Sequence, residues 1–415
     1  MTDRTVANVT CLGCGCACDD ITVVVKQDRI ADARNACTLG SAWFGDGTVP
    51  AETRVNGRTA SLEQALTEAA RLLIGATRPL VYLAGDVSCE TQREAVAIAD
   101  RLHAAIDSLA ATAATAVLAA QRRGRAGATL GEIRQRADLV VFWAVDPSAR
   151  YPRYRSRYAV EPRGVAAPHG RNSRTLIAVD VGENRGPADA DARVAVAPAD
   201  EVDGLEIMRA AVQGRAVEED ARFRPVVDLA RRMTEARYVA LVADSEPGLV
   251  AADLARAEAL VTLAQALNTP TRCALSTLRG GGNRSGADAV LTWQTGFPFA
   301  VDFARGYPSY HPQTGGGAVL GRGEVDVALV VGAPASLPAP VATALARVRS
   351  VAIGPRASAA TFQPAVAVDT GMAGIHEGGT AFRMDDVPLP LRPSLGGGAR
   401  AALVTVRALG DRLGA

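Results

Sequence analysis

Apolar residues in this chain gather into short runs separated by longer amphipathic stretches. Residues 80–84 read Leu-Val-Tyr-Leu-Ala and stop at Gly85-Asp86. Residues 139–145 (Leu-Val-Val-Phe-Trp-Ala-Val), 176–181, 238–242, 327–331 and 351–353 repeat the pattern, with shorter versions at 194–197 and 273–276. Continuous runs of this kind predict strands covered on both faces. Between them the spacing turns helical. Ser61 stands as a cap before Leu62, Ala65, Leu66, Ala69 and Leu72, which predicts a helix over 61–73. Further helices are expected over 90–102, 203–213 and 251–267. Near the start, 21–25 and 30–31 flank Gln27-Asp28 and predict a hairpin. Residues 51–60 read as a linker.

Strands alternating with helices predict an α/β fold with mainly parallel sheets. Ligands in such folds sit beyond the carboxyl ends of the strands. Attention therefore falls on Gly85-Asp86, Asp146-Pro147, 180–186, 279–286, 332–334 and 354–356. No G-x4-G-K-[ST] occurs, no G-x-G-x-x-G follows a strand, and Gly280-Gly281-Gly282-Asn283 alone suits a tight loop as well as a phosphate. No G-x-S-x-G is present. His103, His169, His311 and His376 have no neighbours at zinc-ligand spacing and read as structural.

Cysteine usage changes the picture. Five of the seven cysteines lie in the first 37 residues, and Cys11, Cys14, Cys18 and Cys37 read C-x2-C-x3-C-x18-C. Three thiolates from one loop plus a distant fourth suit a [4Fe–4S] cluster. Four thiolates also suit structural zinc, and an empty set of packed thiols fits the pattern too. Cys16 is in excess. Disulfides are not expected, because residues 1–10 carry no apolar signal core.

Composition adds exclusions. The chain has 415 residues, 48% apolar and 21% charged, which suits a globular protein of more than one domain. Its net charge of +1 gives no global pull toward nucleic acid or a membrane surface. Aromatics at 4% leave few platforms for stacking bases. No apolar run reaches the ~18 residues of a membrane span. A cytoplasmic protein is expected. Charge is locally uneven, however. Arg150, Arg153, Arg155, Arg157, Arg163, Arg171 and Arg174 crowd the stretch after 139–145, interleaved with Tyr151, Tyr154 and Tyr158 and relieved only by Glu161. Guanidinium forks suit carboxylates and phosphates. Arg153, Arg155 and Arg157 are the candidate contacts for an anion or an acidic partner.

Cys11-x2-Cys14-Gly-x2-Cys18-Asp-Asp-Ile21 with Asn35-Ala-Cys37 resembles the start of the B subunit of formylmethanofuran dehydrogenase, which binds molybdopterin or tungstopterin. The likeness continues through Gly131-Glu132-Ile133, Tyr151-Pro-Arg-Tyr-Arg-Ser-Arg157, Arg174-Thr-Leu-Ile-Ala-Val-Asp180, Leu278-Arg279-Gly280, Gly296-Phe-Pro-Phe, and Glu377-Gly-x-Thr380-Ala-Phe-Arg383-Met384. The resemblance implies a dimethyl-sulfoxide-reductase-like fold without the C-terminal barrel. Residues 1–58 would form an iron–sulfur-type module. A first α/β domain would span 59–225 with part of 330–390, a second 226–330, and a tail helix 391–415.

The chain departs from that family where the metal should sit. The segment that aligns with the family's cysteine or selenocysteine ligand is 106–121, with the ligand position near Thr112 or Ala113, and no cysteine lies between Cys89 and Cys273. Ala144-Val145-Asp146-Pro147, Asp180-Val181-Gly182 and Gly332-Ala333-Pro334 replace the family's cofactor turns. No tungstopterin or molybdopterin is therefore expected. The resemblance narrows to the B subunits of formyltransferase/hydrolase complexes of methylotrophic bacteria. That implies a non-catalytic structural subunit, with hydrolase, formyltransferase and further subunits as partners. It also implies a complex that takes formyl-tetrahydromethanopterin to formate through methylofuran, whose polyglutamate arm is a candidate ligand for the arginines. An active tungsten or molybdenum subunit with a [4Fe–4S] cluster is the alternative.

Overall fold

A computed structural model of the chain describes residues 3–217, 220–244 and 253–414. It divides into two compact units: residues 1–111, 281–383 and 388–415 in one, and residues 112–280 with 384–387 in the other. The sequence reading draws its boundaries instead at 225/226 and 330/331.

The first unit is built on a nine-stranded sheet. Its order is Ser309–Tyr310, Val301–Asp302, Ala105–Ser108, Pro79–Leu83, Val327–Val331, Arg349–Gly354, Val366–Asp369, Thr53–Val55 and Arg58–Thr59. The five central strands run parallel, and the two short strands at each edge are antiparallel. Successive residues of a strand face opposite sides, and here both sides are buried. Val81 and Leu83 join Leu329, Ile353 and Val368 under helices Leu62–Ile74, Cys89–Arg101 and Ala402–Leu413. Leu80 and Tyr82 join Ala328, Val330 and Ala352 on the other face, against Leu320, Val341 and Leu345. This two-sided burial explains why the runs are apolar without alternation.

Helix Leu62–Ile74 begins as predicted. The Ser61 hydroxyl accepts from Gln64 N at 3.2 Å and the Gln64 side chain accepts from Ser61 N at 2.9 Å, a capping box. The expected linker over 51–60 is overturned. It is a hairpin, Thr53–Val55 with Arg58–Thr59, turning at Asn56 and Gly57 with φ of 48° and 76°, and it extends the large sheet beside Val366–Asp369. The cysteine region carries the predicted hairpin, Ile21–Lys26 with Arg29–Arg34, and Arg4–Val9 adds a third strand.

The second unit holds a five-stranded, wholly parallel sheet in the order Ala192–Val196, Thr175–Val181, Leu139–Trp143, Val239–Asp244 and Cys273–Leu278. Val141, Trp143, Ile177, Val179 and Leu241 pack with Leu205, Met208, Leu229, Met233 and Leu263 from helices Glu201–Val212, Arg224–Glu235 and Leu254–Leu267. The start of the expected 251–267 helix, at Ala251, lies outside the described residues. The mixed α/β architecture with parallel sheets is as expected. Among the described residues no helix is long and apolar enough to cross a membrane.

Candidate functional site

The cysteine loop is held from within by its own backbone. Cys11 N donates to Cys18 O at 2.9 Å and Ala17 N to Cys14 O at 3.1 Å, so the chain closes on itself between the first and third cysteines. Cys37 returns from the hairpin at the N-cap of helix Thr38–Phe44. The sulfurs of Cys11 and Cys37 both lie within 4 Å of the point a Gly40 Cβ would occupy, at 3.2 and 3.9 Å. Burial pushes the Cys11 thiol well above its usual range, and the neighbouring Cys14, Cys18 and Cys37 push it further. Cys16, fully buried, is raised by its hydrogen bond to Cys14, by burial, and by the same neighbours. The five thiols are therefore neighbours. Among the described residues no group of three or more His, Cys, Asp or Glu side chains stands at metal-ligand geometry.

What fixes this loop was not legible in the spacing. Gly281 lies against it so closely that a Cβ would stand 2.3 Å from Leu12 O, 2.7 Å from Gly13 C and 2.8 Å from Cys14 N. Gly282 N donates to Leu12 O at 2.8 Å, and Asp86 N to Gly282 O at 3.1 Å. Trp43 Nε1 donates to Asp86 Oδ1 at 2.9 Å. The glycine-rich stretch, open in the sequence between a tight loop and a phosphate cradle, serves as a backbone clasp on the cysteines. Burial raises the Asp86 carboxyl, and the indole N–H partly offsets this.

The arginine-rich stretch does not form one free basic face. Tyr151, Tyr154 and Tyr158 are buried anchors, with Tyr154 Oη donating to Ser276 Oγ at 2.9 Å. Between them the chain makes a short helix, Pro152–Tyr154, and a widened turn over Arg155–Ala159. Arg155 is ion-paired to Asp189, Arg171 to Asp191 at 2.8 Å, and the Arg157 guanidinium lies 5.1 Å from the Tyr158 ring centre. Arg174 is 3% exposed and gives all its donors to backbone carbonyls: Ala137, Tyr158, Ala159, Ile133 and Arg134 at 2.6–3.2 Å. It ties the end of helix Leu130–Arg136 to the widened turn. Burial is the main cause pushing its pKa down, to about 10, so it remains a cation at neutral pH. Arg153 is half-buried.

The strand-end loops of the first unit are closed by contact with one another. A Cβ on Gly354 would stand 2.1 Å from Gly332 O, and one on Gly332 2.6 Å from Gly85 O. Ser336 Oγ accepts from Gly85 N at 2.8 Å. In the second unit, Asp180 is occupied by Arg193 at 2.6 and 2.7 Å, Arg185 at 3.1 Å and Gly186 N at 2.9 Å. Asp146 Oδ1 accepts from Ser148 N at 2.8 Å. The segment 106–121 becomes the end of strand Ala105–Ser108, a tight turn Leu109–Ala113, and helix Thr115–Arg123, with Ala110, Ala113 and Ala114 fully buried.

No protein-family model matches the chain. It is 33% identical, over 406 residues, to the B subunit of the tungsten-containing formylmethanofuran dehydrogenase 2 of Methanocaldococcus jannaschii, covering 94% of this chain and 93% of that one. The corresponding subunit of Methanococcus maripaludis is 32% identical over 405 residues, with 93% of each covered. The chain belongs to the family of formylmethanofuran dehydrogenase B subunits. Among solved structures it is similar to a chain in the formyltransferase/hydrolase complex of Methylorubrum extorquens with methylofuran. That match has 26% identity and a TM-score of 0.71, and covers 87% of this chain and 98% of that chain.

Membership sharpens the question of metal. The two archaeal subunits are described as tungsten-containing. Tungsten and molybdenum favour soft thiolate donors. Outside the N-terminal loop this family member has only Cys89 and Cys273. Cys89 opens helix Cys89–Arg101, buried beside the Asn283 amide at 3.5 Å, and burial pushes it up to about 11. Cys273 opens a strand, and burial pushes it up to about 12. Both are neutral packing thiols. Cys89 and Cys273 are thus the soft thiols of this chain outside the N-terminal cysteines, and both are buried.

Proposed function

We propose that this chain is the structural B subunit of a cytoplasmic formyltransferase/hydrolase complex, which carries formyl from formyl-tetrahydromethanopterin through methylofuran to formate. In this reading it performs no redox step. Hydrolase, formyltransferase and further subunits are its partners, and it descends from a dimethyl-sulfoxide-reductase-like dehydrogenase. The observation that carries the proposal is the departure at 106–121: family membership over nearly the whole chain, with no cysteine between Cys89 and Cys273. The likeness to a chain of a methylofuran-bound formyltransferase/hydrolase assembly supports the same reading.

Cys11, Cys14, Cys18 and Cys37 are the residues that would hold a [4Fe–4S] cluster. Each would lose its proton on binding, and their side chains would rotate onto a common centre. With no pterin to serve, such a cluster would act as a cross-link within residues 11–37. Arg153, Arg155 and Arg157 would meet an acidic neighbour or the polyglutamate arm of the carrier by exchanging internal partners, which for Arg155 is Asp189. Charge reversal at Arg153 and Arg155 that leaves assembly and carrier binding intact would remove that role.

A second reading, an active tungsten or molybdenum dehydrogenase subunit with a [4Fe–4S] cluster, is favoured by one observation: the relatives matched at 33% and 32% over nearly their whole length are B subunits of tungsten-containing formylmethanofuran dehydrogenases. The test is to purify the chain with its native partners and assay two activities. The proposal expects formyl transfer and formate release without viologen reduction by formate. Viologen reduction that tracks this chain would favour the dehydrogenase.

A further inference from the structure

Aromatic side chains are few in this chain, and their exposure is uneven. Of three tryptophans, seven tyrosines and eight phenylalanines, eleven are buried. Trp43 is half-buried with its indole on Asp86. The other six are Trp293, Phe297, Phe299, Tyr307, Tyr310 and Phe382. All belong to the first unit, and five of them fall within residues 293–310, where helix Arg284–Thr295 leads into the short strands Val301–Asp302 and Ser309–Tyr310. Ser309–Tyr310 is the last of the nine strands, so these rings gather toward a sheet edge. They brace one another. Phe297 stacks on Tyr310, Phe299 meets Tyr310 edge-on, and Trp293 meets Phe382 edge-on, each pair with ring centres 5.5 Å apart. Pro298 and Pro308 fix the backbone beside them, and Thr295 Oγ1 accepts from Phe297 N at 3.1 Å. Trp293 and Tyr307 are nevertheless 56% and 54% exposed.

Area and charge decide what covers this face. An aromatic side chain carries roughly 150–250 Å², so the six rings together leave on the order of 400 Å² in water. That equals the largest apolar patches of monomers, which are often functional. It is about half of one partner's ~800 Å² share of a standard interface, the proportion of an apolar core inside a polar rim. Charge is nearly absent. Residues 293–310 hold two charged side chains, Asp302 and Arg305, and Asp302 Oδ1 already accepts from Ala304 N at 2.8 Å. Aromatic surfaces that settle on lipid are accompanied by clustered lysine and arginine, and one arginine does not supply that. Rings already held in place lose little freedom on docking, and rings with so little charge around them match an uncharged protein surface. We infer that the aromatic edge around Trp293 and Tyr307 is the core of the contact with a non-identical partner subunit, whose matching face is uncharged and aliphatic. The inference rests on the reading above that the chain is a subunit of a formyltransferase/hydrolase complex.

The test co-expresses the tagged full chain with the formyltransferase and hydrolase subunits of its host. Wild type should carry both through affinity and size-exclusion steps. W293S/Y307S, at unchanged melting temperature, should lower their yield by more than about tenfold, as expected when aromatic anchors of an interface core are truncated. I74S/V404S trims two other apolar side chains, 62% and 64% exposed on helices Leu62–Ile74 and Ala402–Leu413, and should leave the yield within about twofold. Hydroxyl-radical footprinting of the intact wild-type complex reads the same surface without any variant. Trp293 and Tyr307 should oxidise there as slowly as Trp143, which is fully buried. Partners retained by W293S/Y307S, partners lost equally from I74S/V404S, or fast oxidation of Trp293 and Tyr307 within the complex would each overturn this inference alone. So would a dimer of the isolated chain that W293S/Y307S disperses, or flotation of the chain on phosphatidylglycerol vesicles through these residues. A wild-type chain that carries neither subunit overturns the subunit reading, and this inference with it.

Discussion

Replacing Arg174 with methionine keeps much of the side-chain volume and removes every donor. The native guanidinium serves five carbonyls at 2.6–3.2 Å from a position that is 3% exposed. Two of those carbonyls retain another bond, since Ala137 N reaches Ile133 O at 3.2 Å and Arg163 N reaches Arg134 O at 3.2 Å. The remaining carbonyls, left buried without their cation, cost roughly 1–3 kcal/mol each. The methionine's own burial recovers part of this. A net loss of about 3–5 kcal/mol is expected, close to that for breaking a buried charged network. For a unit of this size that corresponds to a fall in Tm of order 10 °C. Arg174→Lys, with fewer donors and no fork, should fall between. Differential scanning calorimetry at neutral pH gives the answer. A methionine variant melting within about 2 °C of wild type would refute the structural assignment of this arginine.

Four further outcomes are expected. Gly281→Ala forces a Cβ to 2.3 Å from Leu12 O, backbone against backbone, so it should cost more than about 3 kcal/mol and loosen the cysteine loop, measurable as faster thiol labelling of Cys14. Burial pushes the Asp107 carboxyl up to about 6 from 3.8, outweighing the N–H groups of Ser108, Gly316 and Ala300. A carboxyl raised in the folded state contributes its stability below the unfolded value and loses it as pH rises through the folded value. Between those two pH values wild type should therefore lose roughly 2–3 kcal/mol more stability in urea unfolding than Asp107→Asn does. If the thiol set holds iron, Cys14→Ser should abolish the visible charge-transfer absorption after anaerobic reconstitution, while Cys16→Ser should keep it. Gly354→Ala should destabilise as Gly281→Ala does but leave thiol labelling unchanged, because it meets Gly332 rather than the cysteine loop.

Much of the secondary structure could be read from local pattern. Strands buried on both faces write themselves as continuous apolar runs, as Val327–Val331 does, residue for residue. Ser61 announces its helix because the cap is a local bond. The edge hairpin was missed because Thr53–Val55 and Arg58–Thr59 are short and polar, although Asn56-Gly57 is a strong turn signal. The order of strands could not be read at all. Val239–Asp244 lies beside Leu139–Trp143 across a long sequence separation, and no local pattern names a strand's neighbour. At the candidate site, spacing grouped the cysteines but could not reveal Gly281 as their clasp. Arg174 looks in sequence like any member of an arginine-rich run, and only its carbonyl partners set it apart.

The central claim is that the family's heavy-metal site has lost its sulfur ligand in this member. Plasma mass spectrometry of the intact complex, purified from its native host grown with tungstate and molybdate, tests it most directly. The account predicts both elements far below one atom per copy of this chain, whatever the iron content. One tungsten or molybdenum per chain would contradict it.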